Sequence, residues 1–354
     1  MTDISFSWMM NSDPVYITKA EAEVLRDIGF TACRLADSAT CSHPEEGIWS
    51  FWKSLVPNIA TLLHAGIRPD VNTSWCPAHM AEGKTTYYPY TAGATVWELD
   101  ENGIAIPGRP QKFAAHRPWV VDPPHMSGWY DYGCKLASDR RRIEDKMLYE
   151  YISSYAWGNE LGGDFYNPLV HTESRWNEAY ARMWYEGAYP YFKGILSVNP
   201  KARFTLPDAD GEDALRRGIQ FSRADSQINA ATFAYSYHPY AWRNREDGTI
   251  DFPEDSYDRI AAFRAVIKQY GDPSKEEWMS EIGDGGTGRI VEWTAKVLFD
   301  LGKPPTNINF GERTQFVECT NPNDPPNWQS FKMTDVGIEL KALLQRRRRT
   351  ISVR

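Results

Sequence analysis

The chain is 354 residues long, with 42% hydrophobic and 14% aromatic content, enough apolar material for a large core. A net charge of −8 argues against a surface built for nucleic acid or an anionic membrane, and no apolar run reaches the ~18 residues of a membrane span. Five scattered cysteines (Cys33, Cys41, Cys76, Cys134 and Cys319) make a disulfide framework an unsuitable reading.

The elements follow in order. Ile4 to Trp8 alternates as a first strand, early enough to leave no room for a leader; the chain is then intracellular, or a leader was removed before this numbering. Thr18 to Asp27 has apolar positions at helical spacing and closes on Gly29. Phe30 to Asp37 reads as a buried strand containing Arg34, which needs a carboxylate partner because burying a lone guanidinium is expensive. Asp37 and Asp70 are the structural candidates, and a catalytic carboxylate is the functional one. A helix over 51–64 ends at Ala65-Gly66, and Ile67 to Ser74 forms a third strand with Trp75, Cys76 and His79 at its mouth.

Residues 77–138 break this rhythm with many Pro, Gly and Tyr, a hairpin about Leu99 to Ile104, and Trp119, Trp129 and Tyr130. A long insertion of this kind belongs either to a wall over the functional face or to a structural excursion. A helix over 140–150 then precedes an aromatic strand from Tyr151 that stops at Gly158-Asn159-Glu160. Beyond it the spacing predicts a helix over 174–198, strands over 202–208 and 231–240, and a helix over 256–270. A strand from Glu277 to Ile282 carries Glu281, followed by a helix over 289–301, a strand over 313–319 and a closing helix over 335–347. Arg346 to Arg349 read as the start of a solvated basic tail, 346–354.

Eight strands alternating with helices, without a linker, predict a single (β/α)8 TIM barrel over 1–345, with the 77–138 insertion after the third strand. Active sites in such barrels gather at the C-terminal strand ends, which here carry Arg34, Trp75, Asn159-Glu160, Asp208, His238-Pro239-Tyr240 and Glu281. Two carboxylates about 5–5.5 Å apart can break a glycosidic bond with retention, one as proton donor and the other as nucleophile. Arg34 and Tyr240 are placed to hold Glu281 charged.

On these residues the chain resembles the clan A retaining β-glycosidases, which include glycoside hydrolase families 5 and 39. Asn159-Glu160 matches the asparagine and acid/base glutamate that end the fourth strand, and Glu281 the nucleophile ending the seventh. Arg34 matches the second-strand arginine that bonds the nucleophile, and His238 and Tyr240 the sixth-strand pair. The chain departs from the clan at Leu161, where proline is frequent, and has only Trp328 to offer for an eighth-strand tryptophan. The resemblance implies double displacement on a β-linked oligo- or polysaccharide. Glu160 is then acid and base, Glu281 nucleophile and Asn159 the partner of the sugar 2-hydroxyl, while His238 and Tyr240 orient the nucleophile. Trp75, Trp119, Trp242 and Trp278 are candidate stacking rings, and Trp157 lies in the core. Neither a metal nor a cofactor is implied: no His-x-His begins the first strand, and Cys33, Cys41 and His43 lack a suitably spaced fourth ligand. A non-catalytic carbohydrate-binding barrel and a transglycosylase with the same site stay open.

Overall fold

A computed structural model describes residues 4–10, 17–43, 47–74, 80, 97–99, 105–110, 126–140, 142–143, 145–161, 180–181, 183–240, 254–283, 288–311, 313–320 and 330–352. Eight parallel strands close into a barrel: β1 (Ser5–Met10), β2 (Ala32–Ser38), β3 (Arg68–Ser74), β4 (Tyr155–Trp157), β5 (Phe204–Thr205), β6 (Thr232–Tyr237), β7 (Glu276–Ile282) and β8 (Asn307–Phe310). They run in sequence order around the barrel, and β1 closes it by pairing with both β2 and β8. The principal helices are α1 (Lys19–Ile28), α2 (Phe51–His64), α3 (Met126–Ser138), α4 (Tyr189–Val198), α5 (Glu212–Ala224), α6 (Glu254–Tyr270), α7 (Ile290–Phe299) and α8 (Asp335–Ser352). Local chemistry sets α1 at both ends: the Thr18 side chain accepts from the Glu21 amide, and the Gly29 N–H returns to Leu25 and Arg26.

Alternation along the strands divides the chain's polar and apolar residues. Outward-facing rings meet the helices: Phe204 stacks on Phe192 at 4.4 Å, Tyr237 on Phe263 at 4.5 Å, and Trp157 lies edge-on to Trp129 at 5.2 Å. Each ring removed from water contributes on the order of 2 kcal/mol. The barrel interior is polar instead. Ser7 donates to Asn307 at 2.8 Å, Ser154 to Asp70 at 2.7 Å, and the Asn309 side chain to the Ser280 carbonyl at 2.7 Å. Helices α3 and α4 pack backbone to backbone through glycine: a Cβ on Gly194 would lie 2.0 Å from the Tyr130 carbonyl oxygen.

The structure corrects four sequence expectations. The eighth barrel strand is Asn307–Phe310, not 313–319; Arg313–Gln315 form a 3-10 turn, and Val317–Cys319 pair antiparallel with Phe331–Met333 outside the barrel. The alternation Asn-Ile-Asn-Phe reads as polar because Asn307 and Asn309 fill the barrel interior. Residues 140–150 hold an antiparallel pair, Arg142–Ile143 with Lys146–Met147, and the short helix Leu148–Tyr151, while the full helix before β4 is α3. Arg142 donates to the Asp145 carbonyl at 2.6 Å and closes that turn. Residues 346–352 are not a free tail but the last turns of α8, which is anchored by buried Leu340, Leu343 and Leu344. Trp278 is buried toward the strand starts, against Phe233 and Arg68, and is no platform at the strand ends.

The hairpin expected about 99–104 is formed by Trp97–Leu99 and Ala105–Pro110. Most of 77–125 lies outside the described residues, as do Trp75, Cys76, His79, Trp119, Trp242 and Trp328. No helix among the described residues is long and apolar enough to cross a membrane.

Candidate active site

The C-terminal strand ends bring together six residues that the sequence singled out: Arg34, Asn159, Glu160, His238, Tyr240 and Glu281. Strand β4 is short and is followed by Gly158 at φ 76° and Glu160 at φ 47°. Among the described residues Glu160 is the one non-glycine with a positive φ. Left-handed backbone on such a residue costs on the order of 1 kcal/mol or more, and here it turns the carboxylate into the barrel mouth beside His238. The Trp157 ring anchors the strand from behind. A Cβ on Gly187, in the π-helical turn Trp184–Ala188, would lie 2.2 Å from that ring, so the backbone approaches it closely.

Glu281 reaches the site by a different device. Glu277 faces outward and accepts from Arg264 Nε at 2.8 Å. Strict alternation would send Glu281 outward as well, since it lies four residues on. The register with β8 slips between Met279 and Ile282, where three steps on β7 match two on β8. This extra residue is a bulge that re-aims the strand end. Glu281 Oε1 then accepts from the Tyr240 hydroxyl at 2.6 Å, and Oε2 lies 3.5 Å from Arg34 Nη1. The Glu281 side chain is 14% exposed, whereas that of Glu160 is 24% exposed and more open to solvent.

His238 lies between the two glutamates. Its Nδ1 is 2.8 Å from Glu160 Oε1, and its Nε2 is 3.8 Å from Glu281 Oε2. Burial alone would disfavour the charged ring, but Glu281, Glu160 and Asp208 together raise its pKa above the ordinary value. Burial, with the Glu281 charge against its hydroxyl, likewise raises Tyr240 and keeps it a donor.

Arg34 does not pair with either aspartate expected from its own neighbourhood. Asp37 accepts from Ser42, Thr73 and Tyr132, and Asp70 from Ser154 and Arg68. The guanidinium instead donates from Nη2 to Asn159 Oδ1 at 2.8 Å and to Asp208, and from Nη1 toward Glu281. Asp208 is thus a site residue that sequence reasoning named only as a strand end. It is 2% exposed and also accepts from Asn72 Nδ2 at 3.2 Å and from the Ser236 hydroxyl. Its only signal in the sequence was an acidic residue at a strand end opposite a buried arginine. Asp210, two residues on, was not anticipated at all. Burial and the neighbouring Glu160 push its carboxyl up to about 6, its Oδ1 is buried without a hydrogen-bond partner among the described residues, and its backbone carbonyl accepts from Arg259 at 2.7 Å.

The sequence matches no family model and no curated protein. Solved structures do share the fold. A monomeric β-xylosidase from Caulobacter crescentus CB15 superposes with a TM-score of 0.59 at 13% identity, covering 87% of this chain and 59% of that one. A glycoside hydrolase family 5 enzyme from Prevotella bryantii B14 gives 0.58 at 11% identity, covering 96% of both chains. A family 30 subfamily 8 xylanase from Clostridium acetobutylicum gives 0.53 at 11% identity, covering 96% of this chain and 71% of that one. The barrel expected from the clan A resemblance is therefore the barrel found. The chain spans less than two thirds of the Caulobacter enzyme's length.

Proposed function

We propose that this protein is a retaining β-glycosidase acting on an oligo- or polysaccharide through a covalent glycosyl-enzyme. The observation that carries this reading is the placement of Glu160 and Glu281 on either side of the His238 ring, with different donors serving each. In the first step the Glu160 proton passes to the glycosidic oxygen as the C1–O bond breaks, and a Glu281 oxygen bonds to C1. His238 Nδ1 faces Glu160 Oε1, which leaves Oε2 as the atom that carries the transferable proton. In the second step Glu160 takes a proton from water, the water oxygen bonds to C1, and Glu281 leaves as a carboxylate.

Asn159, held by Arg34, is assigned to the sugar 2-hydroxyl, a contact that strengthens as the ring approaches the transition state. Tyr240 and Arg34 fix the orientation of the nucleophile. Trp75, Trp119 and Trp242 are assigned as stacking rings, and the 77–138 insertion as a wall of the cleft. The structural neighbours described as xylosidase and xylanase make β-xylosides the first substrates to try.

The test is hydrolysis of a panel of aryl β-glycosides and β-linked polysaccharides by wild type, Glu281→Ala and Glu160→Ala. Wild type is expected to turn over at least one substrate, and Glu281→Ala to lose it by a factor of roughly 10⁴ or more. Azide should rescue Glu160→Ala by forming a β-glycosyl azide. Full activity in both variants would overturn the assignment. Sugar binding without any cleavage would favour a barrel that binds carbohydrate and leaves it intact.

A further inference from the structure

The proposed half-reactions differ in which glutamate is charged, but not in how much charge the pair carries. Before bond cleavage Glu160 is protonated and Glu281 is an anion. In the glycosyl-enzyme Glu281 is a neutral ester, and Glu160 has given up its proton and is an anion. The two glutamates thus supply a single negative charge throughout. Two basic groups face them, the Arg34 guanidinium and the His238 imidazole, whose pKa its acidic neighbours raise against burial, and both are buried, at 7% and 1% exposure. A buried cation without a compensating anion is costly, so a second, constant negative charge is required.

We propose that Asp208 is a positioning residue that supplies this second charge, keeping Arg34 and His238 both cationic through each half-reaction. Its place between them supports the role: Oδ2 meets Arg34 Nη2, and Oδ1 lies 3.9 Å from His238 Nε2. The Asn72 amide and the Ser236 hydroxyl also donate to it, which holds the carboxylate in place between the two basic groups. His238 Nε2 is itself buried with no hydrogen-bond partner among the described residues, and Asp208 and Glu281 lie at 3.9 and 3.8 Å. Neither carboxylate fully owns the ring, which suits a cation that must persist when Glu281 becomes an ester. Among the described residues the groups facing His238 are Glu160 after β4, Asp208 and Asp210 after β5, Tyr240 beyond β6, Glu281 on β7 and Arg34 on β2. Asp210 differs from Asp208, which bonds Arg34: Arg259 donates to the Asp210 backbone carbonyl and pairs its charge with Glu212, and burial with the nearby Glu160 pushes the Asp210 carboxyl up to about 6.

The charge count rests on the retaining reading, whereas its test does not depend on activity. The full chain is labelled with 15N-histidine, and the ring nitrogens of His238, assigned with His238→Gln, are followed by NMR as pH is varied. In wild type both ring nitrogens should be protonated at pH 7, with a midpoint above the ordinary value of about 6.5. Asp208→Asn should lower that midpoint by about one unit or more, a tenfold change in the protonation equilibrium. Arg34→Met removes a cation and should raise it, and the double variant, which removes the pair together, should return it toward wild type. Should Asp208→Asn fail to fold, Arg34→Met and the wild-type spectrum still decide. A neutral His238 at pH 7, or a midpoint indifferent to either single substitution, overturns the proposal. If His238 titrates as expected while the glutamate variants fail the kinetic test, the retaining reading falls and Asp208 keeps its role as counter-charge.

Discussion

Arg34 divides one guanidinium among Asn159, Asp208 and Glu281, and this division sets how firmly each is held. Its contact with Glu281 is long, at 3.5 Å, so the short bond from Tyr240, at 2.6 Å, is the main constraint on that carboxylate. A hydrogen bond to a charged acceptor is worth about 1.5–3 kcal/mol. Tyr240→Phe should therefore lower kcat/KM roughly 10- to 150-fold on any substrate the panel identifies, with an unchanged circular dichroism spectrum. A loss smaller than about threefold would remove Tyr240 from the machinery. At this scale the sequence was informative about residue types and about Arg34 and Tyr240 as the partners of Glu281, and silent about the bonds of Arg34 to Asn159 and Asp208. Arg34, Glu160, His238, Tyr240 and Glu281 could each be read from a strand end, because chemistry on a barrel gathers there. Of the two readings of Arg34, a structural pair with Asp37 or Asp70 and a partner for a catalytic carboxylate, the second is the one the structure bears out. The choice depends on which carboxylates already have donors, and Asp37 takes its donors from Ser42, Thr73 and Tyr132.

Elements were legible where one physical signal dominated and obscure where two competed. Helix α2 runs from Phe51 to His64 as its apolar spacing predicts. Strand β8 was missed because its inward residues are amides that fill a polar interior, so the alternation lacks the usual apolar face. The bulge that turns Glu281 inward left no mark in the sequence, since it exists only as a mismatch of register with β8. The close crossing of α3 and α4 depends on bare glycine backbone. A Cβ on Gly194 would meet a main-chain carbonyl 2.0 Å away, a neighbour that cannot rotate aside. Gly194→Ala should therefore destabilise the fold by about 1–3 kcal/mol in denaturant titration, through overpacking. An unchanged midpoint would mean that the two helices can separate without cost.

At the scale of the whole molecule, one closed barrel carries two glutamates 121 residues apart in sequence to opposite sides of one imidazole. The fold followed from the alternation of strands and helices, which survives errors in individual elements: misplacing β8 and the helix before β4 left the strand count intact. Likeness to solved glycoside hydrolases at 11–13% identity speaks to that architecture, and the chemistry must be tested on the chain itself. The most direct measurement is to trap the intermediate. The protein is incubated with 2-deoxy-2-fluoro-β-glycosyl fluorides of xylose, glucose and galactose, digested, and mapped by mass spectrometry. The peptide containing Glu281 should gain one fluorosugar, and Glu281→Gln should gain none. A fluorosugar on a peptide that lacks Glu281, or cleavage of a β-glycoside that first releases the α-anomer, would contradict the double displacement.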